Sequence, residues 1–156
     1  MRMTLVVVGK TTDGRLTELI GEYLKRLEHY VPCACVVIPE LKNAKSLSQQ
    51  QQKTLEGELI LKAVPDSAQL ILLDEHGREY RSVDFATYLQ KKMSSSQDLY
   101  FVIGGPYGFS DAVYELADGQ LSLSQMTFSH QMIRLLFVEQ LYRAMTILRH
   151  EPYHHE

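Results

Sequence analysis

Tryptophan is absent from the 156 residues, and cysteine occurs only at Cys33 and Cys35. Two thiols one residue apart cannot build a disulfide framework, and they lack the paired spacing of a structural zinc site. Positive charge is not in excess either: 16 Lys and Arg stand against 19 Asp and Glu, a formal net charge of -3. That balance excludes bulk electrostatic gripping of naked nucleic acid and leaves room for a local basic site. No apolar run approaches the roughly 20 residues of a membrane-spanning helix. The apolar start, residues 3–8, is too short for a secretory signal and runs at once into Gly9 and Lys10. The expected compartment is a reducing cytoplasm. With 45% hydrophobic and 22% charged residues, the expected organisation is one globular domain over residues 1–156.

Branched apolar runs at residues 3–8, 34–38, 69–73 and 99–103, with a weaker one at 121–123, read as strands. They are continuous rather than alternating, as parallel strands covered on both faces require. Between them lie helical patterns. Leu16, Leu19, Ile20, Tyr23, Leu24 and Leu27 repeat at three and four; Leu55, Leu59 and residues 61–64 do so more loosely; residues 83–93 and 111–117 follow, and a last helix spans about 130–149. Strands and helices therefore alternate through the chain, which predicts an α/β fold with a mainly parallel sheet and helices on both faces. Its ligand site should lie beyond the carboxyl ends of the strands. The run Gln49 to Gln52 reads as a solvated helix face, and Ser94 to Asp98 as a loop.

The chemistry concentrates after residue 100. Gly104-Gly105-Pro106-Tyr107-Gly108 joins a strand to a helix that Ser110 or Asp111 can cap, and it permits either a close backbone approach to a ligand or a tight structural turn. Pro106 breaks the dinucleotide glycine pattern, and no Lys-Ser or Lys-Thr follows to form a phosphate loop. Between Asp118 and Glu139 there is no carboxylate to bind a ribose in the Rossmann manner. A dinucleotide or triphosphate is thus disfavoured. The segment Leu123, Ser124, Gln125, Met126, Thr127 and Phe128 offers backbone polar groups between apolar walls, which suits an adenosyl group or an ordinary loop with apolar plugs.

Apolar residues run nearly all round the last helix, as in a helix that is central or shared with a second subunit, and Leu141 is expected at that subunit contact. Glu139 and Arg143 are spaced for a helix ion pair. Arg134 has no acid at helical spacing and lies one turn beyond His130, so it either snorkels or forms a polar site with that histidine. No histidine spacing fits a metal motif, and no metal is expected. In the tail, Tyr153 offers a stacking ring and His154 a proton acceptor, unless the end is simply frayed. Both cysteines are expected to be buried in their strand.

Leu72-Leu73-Asp74 with Gly77, Ile103-Gly104-Gly105-Pro106-x-Gly108, Leu121-Ser122-Leu123-Ser124, Leu141-Tyr142-Arg143-Ala144 and Pro152-Tyr153-His154 resemble, in order and spacing, the SPOUT-class ribosomal RNA large subunit methyltransferase H family. The resemblance runs from Val6-x-Val8-Gly9 to the last residue. It implies methylation of N3 of a pseudouridine in 23S rRNA on the assembled ribosome, a deep C-terminal trefoil knot, and a homodimer built on the last helix. It also implies S-adenosylmethionine held by Leu73, Gly104 and the run Leu123 to Phe128. Within that reading His130 or His154 is the candidate base, Arg134 an orienting cation and Tyr153 a substrate contact. Tyr107, Ser129, Glu151 and His155 depart from the family pattern, which has an acid, Pro, His and Arg there. The last two departures bear on substrate contacts, because an Arg lost from the tail is a phosphate partner lost. A noncatalytic ribosome-assembly factor and a SPOUT methylase of tRNA are the rival readings.

Overall fold

Five parallel strands form one sheet in the order β2-β1-β4-β3-β5, in a computed structural model that describes all of residues 1–156. The strands are β1 (Met3–Val8), β2 (Cys33–Ile38), β3 (Gln69–Glu79), β4 (Leu99–Ile103) and β5 (Gly119–Ser122). They alternate with α1 (Gly14–Glu28), α2 (Gln49–Ala63), α3 (Ser82–Met93), α4 (Asp111–Leu116) and α5 (Met132–Leu148). Local chemistry starts three of the helices. Asp13 accepts from the Arg15 N–H at α1, Ser48 and Gln51 form a reciprocal capping box at α2, and Ser110 accepts from the Val113 N–H at α4. The exposed glutamines of α2 are the solvated face that the sequence suggests.

Because successive strand side chains point to opposite faces, each strand feeds two cores. Leu5, Val7, Ile71, Phe101 and Ile103 pack with α1, α3 and α5, while Val6, Val8, Leu72 and Val102 pack with α2 and α4. The continuous apolar strands thus have the covered faces they predict. The exception is β2. At the sheet edge, Cys35, Val36 and Val37 are exposed and Cys33 is half-buried, which corrects the expectation of buried cysteines. Burial still pushes the Cys33 thiol up to about 11.

The phase of α2 is a second correction. Leu55 is exposed, and the residues it turns into the core are Glu56, Gly57 and Ile60. The last helix is a third. Phe137, Val138, Leu141, Ala144 and Met145 are buried in the chain's own core beneath α1 and α3, so most of its apolar circumference is satisfied within one chain. Leu141, 3% exposed, is a core residue and not a subunit contact. Leu141→Ala is therefore expected to cost about 2–5 kcal/mol, the range for emptying a buried leucine site. Urea unfolding at fixed protein concentration measures it, and the oligomeric state of the folded fraction should not change.

Candidate active site

Three loops meet where the carboxyl ends of β3, β4 and β5 lie side by side. The first is a bulge inside β3. The ladder with β5 is interrupted between Leu73 and Arg78, and the chain closes again because Gly77 lies against the Leu121 backbone, where a Cβ would come within 2.6 Å. The bulge presents Asp74, Glu75 and His76. Asp74 accepts from the His76 N–H at 2.8 Å and from the Tyr114 hydroxyl, so its carboxylate is fixed from two sides. Burial and that carboxylate together raise the Tyr114 phenol well above its ordinary value.

The second loop follows β4. Gly108 sits at φ +80°, in the left-handed region, and its N–H closes a turn onto the Gly105 carbonyl at 3.3 Å. At Gly104 a Cβ would stand 2.9 Å from the buried Phe109 ring, so this glycine is required by the loop's own packing. The third loop, residues 123–130, is held by short polar bonds. The Ser122 hydroxyl donates to the Ser124 carbonyl, the Ser124 hydroxyl accepts from the Met126 N–H, and the Ser129 hydroxyl accepts from the Met132 N–H.

Together the loops enclose a cavity of about 360 Å³. Leu73, Gly104, Leu123, Ser124, Met126, Thr127 and Phe128 line it, as does His130; Gln125 is exposed and outside the lining. Met126 is 78% exposed at the mouth, an apolar side chain with little of the chain to cover it. Tyr107, one of the departures from the family pattern, also stands at the cavity wall and is partly open to solvent. Asp74 and Glu75 contribute carboxylates and no Lys or Arg contributes a counter-charge. A pocket so charged repels phosphates and attracts a cationic or zwitterionic ligand with an apolar body.

The four residues expected to act on substrate separate. Only His130 reaches the cavity. Arg134 is 1% exposed and points to the end of β1, donating from Nη2 to the Val8 carbonyl at 2.8 Å and from Nη1 to the Gly9 carbonyl and the Thr11 hydroxyl, each at 3.0 Å. Its Nε donates to the His130 carbonyl at 3.0 Å. Burial lowers its pKa, opposed by Cys35 and Glu40. Tyr153 and His154 pack on their own chain. The Tyr153 hydroxyl donates to Glu139 at 3.0 Å and its ring meets Tyr142, while Arg143 bridges Glu139 at 2.6 Å and His154 at 3.2 Å. The tail is thus docked rather than frayed, and the expected Glu139–Arg143 pair is present. Sequence reading did not assign Asp74 and Tyr114 a joint role, because a hydroxyl–carboxylate pair 40 residues apart leaves no periodic signal.

A doubly covered parallel sheet with an acidic, partly apolar cavity beyond its carboxyl ends defines an α/β enzyme scaffold for a small cofactor. The family described as "Predicted SPOUT methyltransferase" matches residues 1–154, and the chain belongs to the SPOUT methyltransferase family. Proteins named ribosomal RNA large subunit methyltransferase H are similar over their whole length: that of Parabacteroides distasonis is 59% identical and that of Bacteroides thetaiotaomicron 56%, each with 100% of both chains covered. The crystal structure of a probable methyltransferase from Bordetella pertussis Tohama I shares the fold, with a TM-score of 0.56 at 11% identity over 92% of this chain and 94% of that one.

The Arg134 network has a direct energetic consequence. Arg134→Met strands several buried acceptors, each costing about 1–3 kcal/mol when unpaired, and is expected to lower unfolding free energy by about 3 kcal/mol or more. Arg134→Lys, which keeps a charge but not the planar fork, should lose about half as much, as denaturant titration would show.

Proposed function

We propose that this methyltransferase uses S-adenosylmethionine to methylate N3 of a pseudouridine in large-subunit ribosomal RNA, on the assembled ribosome and in the cytoplasm, as a homodimer. The observation that carries the cofactor reading is the cavity itself. Its size suits a ligand of about that bulk, its apolar walls suit an adenosyl group, and its carboxylates with no Lys or Arg suit a sulfonium and an ammonium. The rRNA reading is supported by the names of relatives that match the chain from end to end.

The bound cofactor supplies a methyl group on a cationic sulfur. Everything else falls to the chain. Leu73, Leu123, Met126 and Phe128 would exclude water, Gly104, Ser124, Met126 and Thr127 would bring polar groups to the ligand, and Asp74 and Glu75 would favour its positive charge. His130, on the cavity wall, would be the acceptor for the proton that the base nitrogen loses. Arg134 acts as a positioning residue, holding the His130 backbone against the end of β1.

Tyr153 and His154 lie off the chain's own cavity, so the substrate role that the resemblance implies for them would fall in the cavity of a partner subunit. The subunit contact would use the half-covered residues of α5, among them Leu135 and Leu136, not Leu141. The knot implied by the resemblance is supported by the chain path: after edge strand β5 the chain returns to β1, where the Gln131 carboxamide accepts from Thr12 N–H and donates to the Lys10 carbonyl. A net charge of -3 fits recognition of a folded ribosomal surface by shape better than capture of free RNA.

The test is methyl transfer to large ribosomal subunits with the cofactor present, the product mapped by mass spectrometry. Methylation of a pseudouridine at N3 is expected; no transfer, or transfer to tRNA alone, overturns the reading. His130→Ala should slow the single-turnover rate by about 10²-fold, the lower range for a general base, with cofactor affinity unchanged by calorimetry. His154→Ala should reduce it at least about tenfold if the tail contacts the reacting base. That variant is cleaner than deleting residues 153–156, because Tyr153 is tied to Glu139 and Tyr142 and its removal also loosens α5.

A further inference from the structure

Glu56 is a carboxylate without an obvious purpose. It is 5% exposed on the inner face of α2, among the residues that cover β1, β3 and β4. No cation lies beside it, and burial raises its pKa against the lowering effect of a single hydrogen bond, from the Gly105 N–H at 3.0 Å. An unpaired buried acid is costly to fold around. Its neighbours are shaped to admit it. A Cβ on Gly105 would lie 2.7 Å and 2.8 Å from the two carboxylate oxygens, and one on Gly57 would lie 2.5 Å from the Ser110 hydroxyl. Three positions on two elements are therefore specified so that α2 can reach the loop after β4 from behind.

The consequence lies on the other side of the same peptide. The Gly104–Gly105 bond is trans and planar, so its N–H and C=O point in opposite directions. Glu56 holds the N–H on the α2 side and does not line the cavity, whereas Gly104 and Gly105, on either side of the peptide, both do. We infer that Glu56 is a positioning residue, which locks the Gly104–Gly105 peptide with the Gly104 carbonyl facing the cavity as an acceptor for a hydroxyl or ammonium donor of the cofactor. This rests on the S-adenosylmethionine reading above and adds the residue that sets the orientation of one cofactor contact.

The experiment compares wild type, Glu56→Gln and Glu56→Leu. Glutamine keeps an acceptor for the Gly105 N–H and leucine does not. Glu56→Leu is expected to raise the S-adenosylmethionine Kd and KM at least about tenfold, a loss of about 1.4 kcal/mol, with kcat at saturating cofactor unchanged. Glu56→Gln should bind as wild type does. A folded Glu56→Leu protein with wild-type affinity, or a glutamine variant as impaired as the leucine one, overturns the inference. Should the leucine variant not fold, hydrogen exchange decides: the Gly105 amide must be protected in wild type and Glu56→Gln, and an unprotected amide in either rejects the contact. Wild-type protein that does not bind S-adenosylmethionine refutes the cofactor reading instead, and the Gly105 amide still reports on Glu56.

Discussion

The Arg134 guanidinium joins parts of the molecule that sequence order keeps far apart. The chain leaves β5 at one edge of the sheet and must begin its final helix beside the end of β1, two strands further in than β3. Carbonyls at the end of a strand have no further ladder partner and need donors when they are buried. Arg134 supplies them to Val8 and Gly9 in a single planar fork, and it fastens His130 in the same act. A lysine has no such geometry. With the start of α5 fixed in this way, the loop of residues 123–130 is spanned between two anchored ends, and the cavity has its third wall.

The same logic, a buried polar group used to fix backbone, recurs on the opposite face of the sheet. Glu56 reaches the loop after β4 from α2 much as Arg134 reaches the end of β1 from α5. Asp74 does related work within the β3 bulge, with Tyr114 and the His76 amide as its partners. Each loop of the site is thus held by a charged side chain whose desolvation the fold bears. The result is a cavity whose three walls are each tied to the body of the fold, with Tyr107 on its lining and Ser129 outside it.

The element order, the parallel sheet, the two covered faces and most of the residues that line the cavity from the loop after β5 were legible in the sequence. Apolar runs and helical spacing report burial directly, and Ser48 and Ser110 mark helix starts by local hydrogen bonding that needs no distant partner. What the spacing could not report was α2. Its leucines suggested one face, and the structure turned it so that Glu56 and Gly57 point inward beside Ile60, Glu56 onto the Gly105 N–H and Gly57 against Ser110 and Val113. The edge position of β2, and with it the exposure of Cys35, depends on strand order, which no single strand encodes.

The division at the site follows the range of the interactions. Residues whose place on the cavity lining is set by their own loop, such as Gly104, Leu123 and Phe128, could be picked out from local composition and from the family they resemble. Arg134, Tyr153 and Asp74 take their surroundings from partners 125, 14 and 40 positions away, brought close when helices pack on the sheet or, for Tyr153, when the tail folds back on α5. An apolar helix looks the same in sequence whether its own sheet or another subunit covers it, since burial has no direction. Tertiary packing gave Leu141 to the chain's own core and left the half-covered side of α5 free, because α1 and α3 already occupy the rest.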